Sequence, residues 1–414
     1  MKKGNIFIFA IGVITTILWF IPIIGNLPPS MFAYVRLTGA LSLAGFTCTF
    51  LISTRCRMLD SLFDGLDKAY IIHKWTGIFA VVFAIVHLAV LIMARISVQA
   101  DVLIKWDIFA MPSILLFVLL IIVAIVGSKM KYETWKVVHK FMIIPYALGV
   151  YHYYDASRSP FAFNAFNNWM HIINLIGILS AIYVVFFYEK TAFSFKYKVS
   201  DVKFIAEKTF EVTGKPVNKH ISYKPGQFAF MKILSGDSKI NSRPFTISSA
   251  PQNEMIQFTI KSLGDHTAKL MKTIKAGDEF VLSGPHGKFD YTTGGKNQLW
   301  IAGGVGIAPF RSFYQAVIPD HISIDLFYAY NGAEGAYLDE LKSLNIPNLR
   351  VHLIDSDIEG FLTVDIIKRH INITEPVDVY ICGPVPMRGN MQNGFKDSGI
   401  KLSGFHYEEF TFGR

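Results

Sequence analysis

Four histidines stand inside strongly apolar stretches, His73 and His87 in one and His139 and His152 in another. A side chain that titrates near neutrality is costly in hydrocarbon, so its recurrence in two pairs points to metal ligation. On a straight helix the 14 residues from His73 to His87 rise ~21 Å and end within ~40° of a whole number of turns, so both rings face one neighbour at two heights. The 13 residues from His139 to His152 leave the second ring ~140° away. Pro145 lies between them, and a proline inside a helix removes a backbone bond and bends it. A kink there, helped by Gly149, is expected to turn His152 back toward the earlier stretch. The expected pairs are therefore His73 with His139 and His87 with His152, each holding a haem iron from both sides. Such ligation fills both axial positions and favours electron transfer over oxygen binding at iron. Taken singly, His139 beside Lys136 and Lys140 reads as interfacial, and His152 among Tyr151, Tyr153 and Tyr154 as part of an aromatic belt; the repetition favours ligation. His171 has no matching partner and reads as structural or as a contact to a haem propionate.

A second group of residues suits flat and phosphorylated cofactors. In Arg243-Pro244-Phe245-Thr246-Ile247-Ser248-Ser249 an arginine is available to a pyrophosphate, an aromatic to a flat ring, and Thr246 to the N5 edge of a flavin. We read Arg243–Thr246 as a turn after a strand pair. Downstream, Lys261-Ser262-Leu263-Gly264-Asp265-His266-Thr267 combines a glycine that permits close approach to phosphate with the start of a helix. Gly303-Gly304-Val305-Gly306-Ile307-Ala308-Pro309 follows the apolar strand Leu299–Ala302 and opens a helical pattern, the arrangement that draws a dinucleotide pyrophosphate. Pro309 stands where the usual dinucleotide fingerprint has glycine or alanine. Tyr380-Ile381-Cys382-Gly383-Pro384 ends another strand at the edge where ligands of α/β sheets gather; Cys382 suits a nicotinamide or is a small buried residue. Gly284-Pro285-His286-Gly287 reads as a tight turn or a nucleotide contact.

The elements that must position these residues fall into two textures. Of the 414 residues 52% are hydrophobic and only 17% charged, and nearly all the apolar excess precedes residue 190. Six runs there approach the ~20 residues that span hydrocarbon as a helix: Ile6–Ile24, Phe32–Ser53, Ala69–Ala94, Ile108–Val126, Val137–Tyr154 and Trp169–Phe187. The first lacks a small-residue cleavage site and is expected to be a retained span. Lys2, Lys3, Arg55, Arg57, Lys68, Lys74, Lys129, Lys131, Lys136 and Lys140 would lie on one side, against Arg36, Arg95, Lys105 and Arg158 on the other. Basic residues stay inside, so both termini are expected in the cytoplasm of a multi-pass protein of the cell (plasma) membrane. Loop bias and attraction to anionic lipid account for the net charge of +9 without a nucleic acid partner. Cys48, Cys56 and Cys382 form neither a metal-ligand spacing nor an even disulfide set, which suits a reducing interior. From about Phe193 short strands such as Gln227–Met231, Ile256–Lys261 and Glu279–Leu282 predict an antiparallel barrel. After Gly295 the strands Gln298–Ala302, Ile322–Ala329 and Val377–Cys382 with intervening helices predict a parallel α/β domain. The expected domains are a six-helix transmembrane haem bundle at 1–190, an antiparallel β-barrel flavin domain at 193–295 and a parallel α/β nucleotide-binding domain at 296–414.

The arginine-proline-phenylalanine-threonine segment, the Gly264-Asp265-His266-Thr267 stretch, the glycine loop with Pro309 and the Cys382-Gly383-Pro384 strand end, in that order, resemble the dehydrogenase module of the ferredoxin-NADP reductase type. Joined to six spans with histidine steps of 14 and 13, nearly the whole chain resembles the NADPH oxidase family, in its minimal prokaryotic form within the ferric reductase superfamily. That resemblance implies two b-type haems at the four histidines, FAD against Phe245 and Thr246 with Arg243 at its phosphates, and NADPH or NADH across the glycine loop and Cys382. It further implies a carboxyl-terminal aromatic over the flavin, Phe410 or else Phe412, and Arg36 near the oxygen-facing haem. Two departures stand out: Leu91, four residues after His87, replaces a histidine that some members carry, and Asn331-Gly332-Ala333-Glu334 lacks an arginine for a 2′-phosphate. The implied activity is an NAD(P)H oxidase that passes electrons through FAD and two haems to external dioxygen, giving superoxide without an obligatory protein partner. The alternatives are a ferric or cupric chelate reductase with the same wiring, and a haem conduit to a membrane partner, which would need no flavin module.

Overall fold

The computed structural model describes residues 3–24, 29–97, 112, 114–119, 122, 132–156, 159–234 and 240–408, and the chain divides into two compact units between Thr191 and Ala192. The first unit is helical. Among the described residues four helices are long and apolar enough to cross a membrane: Lys3–Ile23 with 21 residues, Met31–Ser53 with 23, Leu66–Ser97 with 32 and Ala165–Thr191 with 27. Polar side chains start two of them: Ser30 Oγ accepts from the Ala33 amide at 3.3 Å, and Asn164 Oδ1 from the Asn167 amide at 2.9 Å.

Of the two other expected spans, Ile108–Val126 lies largely outside the described residues, although 114–119 are helical and Phe117 stacks on Phe46 at 4.4 Å. Val137–Tyr154 differs from expectation, because it is two helices, Tyr132–Lys140 and Ile143–Ala156, rather than one kinked span. The break falls at Phe141 and Met142, before Pro145. Proline cannot donate to the carbonyl four residues back and its ring collides with it, so the Phe141 carbonyl loses its four-residue helical bond. Pro145 then sits in the first turn of the new helix, where its missing N–H costs nothing. Around the break the bonds tighten to the three-residue type, with Phe141 N to Val138 O at 3.0 Å, Met142 N to His139 O at 3.2 Å and Ile144 N to Phe141 O at 3.0 Å. Each such residue advances roughly 120° instead of 100°, which winds the chain in the sense that closes the deficit between His139 and His152.

Small residues set how closely Met31–Ser53 approaches Leu66–Ser97. A Cβ on Gly45 would stand 2.9 Å from Ala80 Cβ, Ser42 Oγ donates to the Ala80 carbonyl at 2.8 Å, and Thr49 and Thr76 hydroxyls meet at 3.1 Å. Without a hydrophobic drive between helices in lipid, close backbone approach and interhelical hydrogen bonds hold such a seam. One end of that seam is Gly39, where a Cβ would lie 3.0 Å from the Nδ1 of His87.

The second unit begins with six antiparallel strands: β1 (Phe195–Ala206), β2 (Thr209–Pro216), β3 (Phe228–Ile233), β4 (Ile240–Thr246), β5 (Ile256–Lys261) and β6 (Glu279–His286). Their order is β4-β3-β6-β1-β2-β5, and a bridge between Ile247 and Phe258 brings the two ends together around a core of Tyr197, Phe210, Phe258 and Phe280. Arg243–Thr246, read from sequence as a turn, lies in β4 and pairs with β3, Pro244 opposite Phe230. Proline is tolerated there because β4 is hydrogen-bonded to a single strand neighbour and its absent N–H breaks no ladder. Gly284–His286, also read as a turn, ends β6, and His286 pairs with Phe228.

A five-stranded parallel sheet follows, made of β7 (Asn297–Gly303), β8 (Ser323–Tyr330), β9 (Leu349–Asp355), β10 (Val377–Cys382) and β11 (Leu402–Tyr407) in the order β11-β10-β7-β8-β9. The unbroken apolar run of β7 is explained by burial on both faces: Trp300 and Ala302 join Phe310 and Phe313 on one, Leu299 and Ile301 join Phe327 and Ile381 on the other. Strand order reverses between β7 and β10, so a crevice opens at their carboxyl ends, where nucleotides bind in such sheets.

Candidate redox-cofactor sites

In the helical unit the rings of His73 and His139 stand 6.2 Å apart, and those of His87 and His152 stand 6.2 Å apart as well. Imidazole nitrogen bonds a first-row metal at about 2 Å, so two imidazoles on opposite sides of one ion hold their ring centres roughly 6 Å apart. Backbone carbonyls of Met31–Ser53 orient the earlier pair member in each case. His73 Nδ1 donates to the Thr49 carbonyl at 3.0 Å, with Ser53 Oγ at 3.2 Å, and His87 Nδ1 donates to the Val35 carbonyl at 2.9 Å. A proton fixed on Nδ1 leaves the Nε2 lone pair for a metal and raises its basicity. No third His, Cys, Asp or Glu joins either pair among the described residues. Two donors do not build a tetrahedral zinc centre, but they fit an iron whose other four positions belong to a macrocycle. His139 also stacks on Trp135 at 4.8 Å.

Arg36 follows Val35, the residue that holds His87, and its Nη2 donates to Asn167 Oδ1 at 3.2 Å with its guanidinium 5.3 Å from the Phe166 ring. Asn167 Nδ2 is occupied by the carbonyls of Ser159 and Ala162, at 3.1 and 3.0 Å, so its oxygen must face Arg36. His171 receives the Tyr154 hydroxyl at 3.0 Å and stacks on that ring at 5.5 Å, a packed arrangement. Sequence reasoning passed over the seam carbonyls; the small residues Gly39, Ser42 and Gly45 at helical spacing were the signal that could have found them.

In the barrel, Arg243, Pro244, Phe245 and Thr246 lie on β4, and Ser248 follows it. Ser248 is fully buried and its hydroxyl has no hydrogen-bond partner among the described residues, which fits a cofactor that supplies one. Gly264 precedes the helix Asp265–Thr273 and a Cβ there would meet nothing within 4 Å, leaving the helix start open to phosphate, with His266 in its first turn. Thr267 is already engaged, since its hydroxyl accepts from the amides of Leu263 and Gly264 at 3.0 and 3.3 Å. Lys261 turns toward the nucleotide domain, its Nζ 2.7 Å from Glu334 Oε2 and 3.9 Å from where a Cβ on Gly304 would stand. That hydrogen bond and charge hold the Glu334 carboxyl below its usual range.

At the carboxyl ends of β7 and β10 the glycines have distinct tasks. A Cβ on Gly306 would lie 2.6 Å from the Cys382 carbonyl carbon, and one on Gly303 or Gly383 would lie 2.6 or 3.0 Å from Met387 Sδ. These three permit the strand ends to meet, whereas Gly304, at φ +55°, is the open one. Pro309 is buried in the first turn of the helix Ile307–Gln315, and Pro384 caps the helix Val385–Ser398. Cys382 is buried; burial first, and the Glu408 carboxylate second, push its thiol well above the usual range. Glu408, buried beside Cys382 and 3.3 Å from a Cβ placed on Gly287, is a site residue that sequence reasoning passed over. Phe410 and Phe412 lie outside the described residues. Alkylation of the intact protein with a small thiol reagent is expected to label exposed Cys56 and to spare Cys382 until the fold is lost; mass spectrometry of the labelled peptides reads the outcome.

Residues 38–150 match the ferric reductase like transmembrane component, 194–299 an FAD-binding domain and 300–393 an oxidoreductase NAD-binding domain. The first match contains His73, His87 and His139 and stops two residues before His152. The toluate 1,2-dioxygenase electron transfer component of Pseudomonas putida is 28% identical over 227 residues, 51% of this chain and 66% of that protein. Flavohemoprotein B of Dictyostelium discoideum is 30% identical over 220 residues, 46% of this chain and 52% of that protein. The chain thus spans half to two thirds of the length of these relatives. Among solved structures, a ferredoxin NADP+ reductase from Neisseria gonorrhoeae with bound FAD and NADP is 19% identical at a TM-score of 0.46, covering 53% of this chain and all of that one. Along the chain, the match to a transmembrane component falls on the helical unit, the FAD-binding match on the antiparallel sheet and the NAD-binding match on the parallel sheet. The chain has the architecture of the ferric reductase and NADPH oxidase type.

Proposed function

We propose that the protein is a superoxide-forming NAD(P)H oxidase of the cell membrane, with six spans in 1–190, the FAD domain in 193–295, the NAD(P)H domain in 296–414 and both termini cytoplasmic. Electrons go from cytoplasmic NADPH or NADH through FAD and two b-type haems to external dioxygen. The observation that carries this reading is the pair of equal 6.2 Å separations, His73 to His139 and His87 to His152, in one membrane unit. Two such sites at different heights make a conductor across a bilayer, which a soluble reductase would not need. Bound FAD supplies the conversion between the two electrons a nicotinamide releases together and the single electrons that haem iron takes.

The chain's own residues bind and orient. His73 and His139 would hold the inner haem, His87 and His152 the outer, with the Thr49 and Val35 carbonyls fixing the tautomers of His73 and His87. Arg243, Phe245, Thr246, Ser248 and the open turn at Gly264 and His266 would hold FAD; Lys261, Gly304 and the crevice before Cys382 would hold the nucleotide. Gly303, Gly306, Pro309, Gly383 and Pro384 shape that crevice, Thr267 caps the helix of its own turn, and Phe410 would cover the flavin. The haem that His87 and His152 would hold would supply single electrons to dioxygen, and Arg36, aimed by Asn167, would stabilise the negative charge that develops on the oxygen.

Purified protein given FAD and NADPH or NADH is expected to reduce cytochrome c in a superoxide dismutase-sensitive manner, and Arg36→Ala to lower that rate by about 10²-fold, the scale on which removing one anion-stabilising donor acts. Dismutase-insensitive reduction of a ferric chelate would replace the oxidase with a metal reductase, and no turnover would leave a conduit. An unchanged rate in Arg36→Ala would remove the arginine from the reaction.

A further inference from the structure

One buried ionic cluster takes no part in the roles above. Arg311, on the helix Ile307–Gln315 of the nucleotide domain, reaches out of its own domain to the barrel. Its Nη1 lies 2.9 Å from Glu211 Oε2 on β2 and 2.9 Å from Gln257 Oε1 on β5, while its Nε is 3.1 Å from both oxygens of Glu340 within its own domain. The guanidinium lies over the Tyr337 ring at 4.3 Å, and the Tyr337 hydroxyl donates to Glu211 Oε2 at 2.8 Å and meets Thr259 Oγ1 at 2.7 Å. Arg311 is 7% exposed, Glu211 6% and Tyr337 9%, so these are desolvated groups joining two domains.

Tyr337 holds a left-handed backbone, φ +59°, which a bulky residue adopts only where its surroundings impose it. It ends the segment that follows β8, and that segment is fastened to the barrel three times more: the Glu207 amide donates to the Ala333 carbonyl at 3.0 Å, and Lys261 and Lys208 pair with Glu334 at 2.7 and 3.4 Å. The carboxyl edge of β8 is a nucleotide-binding edge in sheets of this kind. A buried cation between two carboxylates adds little net stability, because desolvation offsets attraction, but its planar fork accepts only one arrangement of partners. That selects a geometry.

We propose that Arg311, with Tyr337, is a positioning residue for hydride transfer, locking the nucleotide domain against the barrel at the angle that sets nicotinamide against flavin. This rests on the reading that NAD(P)H reduces FAD here. In that step a hydride, two electrons with a proton, leaves nicotinamide C4 for flavin N5; the nicotinamide is oxidised, the flavin reduced, and no other reactant enters. The reacting atoms sit on different domains, and a misplacement of about 1 Å costs about 10²-fold in rate.

The test is anaerobic rapid mixing of the full-length, FAD-loaded protein in detergent with NADH or NADPH, following flavin absorbance, which needs neither haem nor oxygen. Arg311→Met is expected to lower the limiting rate of flavin reduction by about 10²-fold with the half-saturating nucleotide concentration unchanged, and Arg311→Lys to restore part of it. Tyr337→Phe is expected to lower the limiting rate in the same way. An FAD-loaded Arg311→Met protein with the wild-type limiting rate, or with its loss confined to half-saturation, overturns the proposal. If that variant does not retain FAD, a wild-type limiting rate in Tyr337→Phe overturns it instead. Wild-type flavin that neither nucleotide bleaches would remove the electron-transfer reading and this proposal with it.

Discussion

Alanine at His73 or His139 is expected to reduce the haem content from two to one per chain and to bring superoxide formation to background, while NAD(P)H still bleaches the flavin. The rings of each pair stand 6.2 Å apart, and no further His, Cys, Asp or Glu stands near either pair among the described residues to replace a lost donor. Altering a group behind a metal ligand typically costs 10–100-fold in metal affinity, and removing the ligand itself costs more. Ser53→Ala sets the scale, since it removes one contact to His73 Nδ1 and leaves the Thr49 carbonyl in place. Reduced-minus-oxidised spectra with extracted-haem counts on correctly inserted protein decide it; two haems retained in either alanine variant would refute the ligation.

Gly306→Ala is expected to be the most damaging small change in the nucleotide domain. The added methyl would stand 2.6 Å from the Cys382 carbonyl carbon, and both positions are backbone, Gly306 in the turn between β7 and the helix Ile307–Gln315 and Cys382 at the end of β10. Neither has a rotamer to change, so the turn after β7 must part from the end of β10, at a cost of about 1–3 kcal/mol or more. The same movement opens the crevice between Gly304 and Cys382. A lower unfolding midpoint together with loss of NAD(P)H-driven flavin reduction is expected. Gly389→Ala is the control: it lies within the helix Val385–Ser398 with nothing within 4 Å of the added methyl, and is expected to stabilise by about 0.5–1 kcal/mol. Equal midpoints for the two variants would show that the close approach at Gly306 yields.

Much of the fold was legible because its signals are local. The run Leu299–Ala302 is continuous since both faces of β7 are buried, and Gly303–Gly306 punctuates it where the chain must turn into a helix. Other local signals had distant causes. Arg243-Pro244 looks like a turn until β4 is known to have one ladder neighbour. The glycines after β7 read as room for phosphate, and Gly303 and Gly306 also permit contacts with residues some eighty positions away, Met387 and Cys382. Arg311 carries no signal along the chain, because its partner Glu211 stands a hundred positions earlier and only the folded barrel brings it within reach.

By itself the sequence determined which groups the protein has at which heights: imidazoles in apolar runs, glycines at strand ends, a cysteine-glycine-proline edge. Hydropathy and periodicity are properties of neighbours along the chain, and they specify helices, strands and their order. Only the tertiary structure decided which groups face one another. His152 meets His87 because the chain breaks and tightens at Phe141 and Met142, and His73 and His87 are held by carbonyls that a seam of small residues brings within reach. Direction and distance depend on winding and register summed over many residues, and an error of one residue rotates a helical side chain by about 100°.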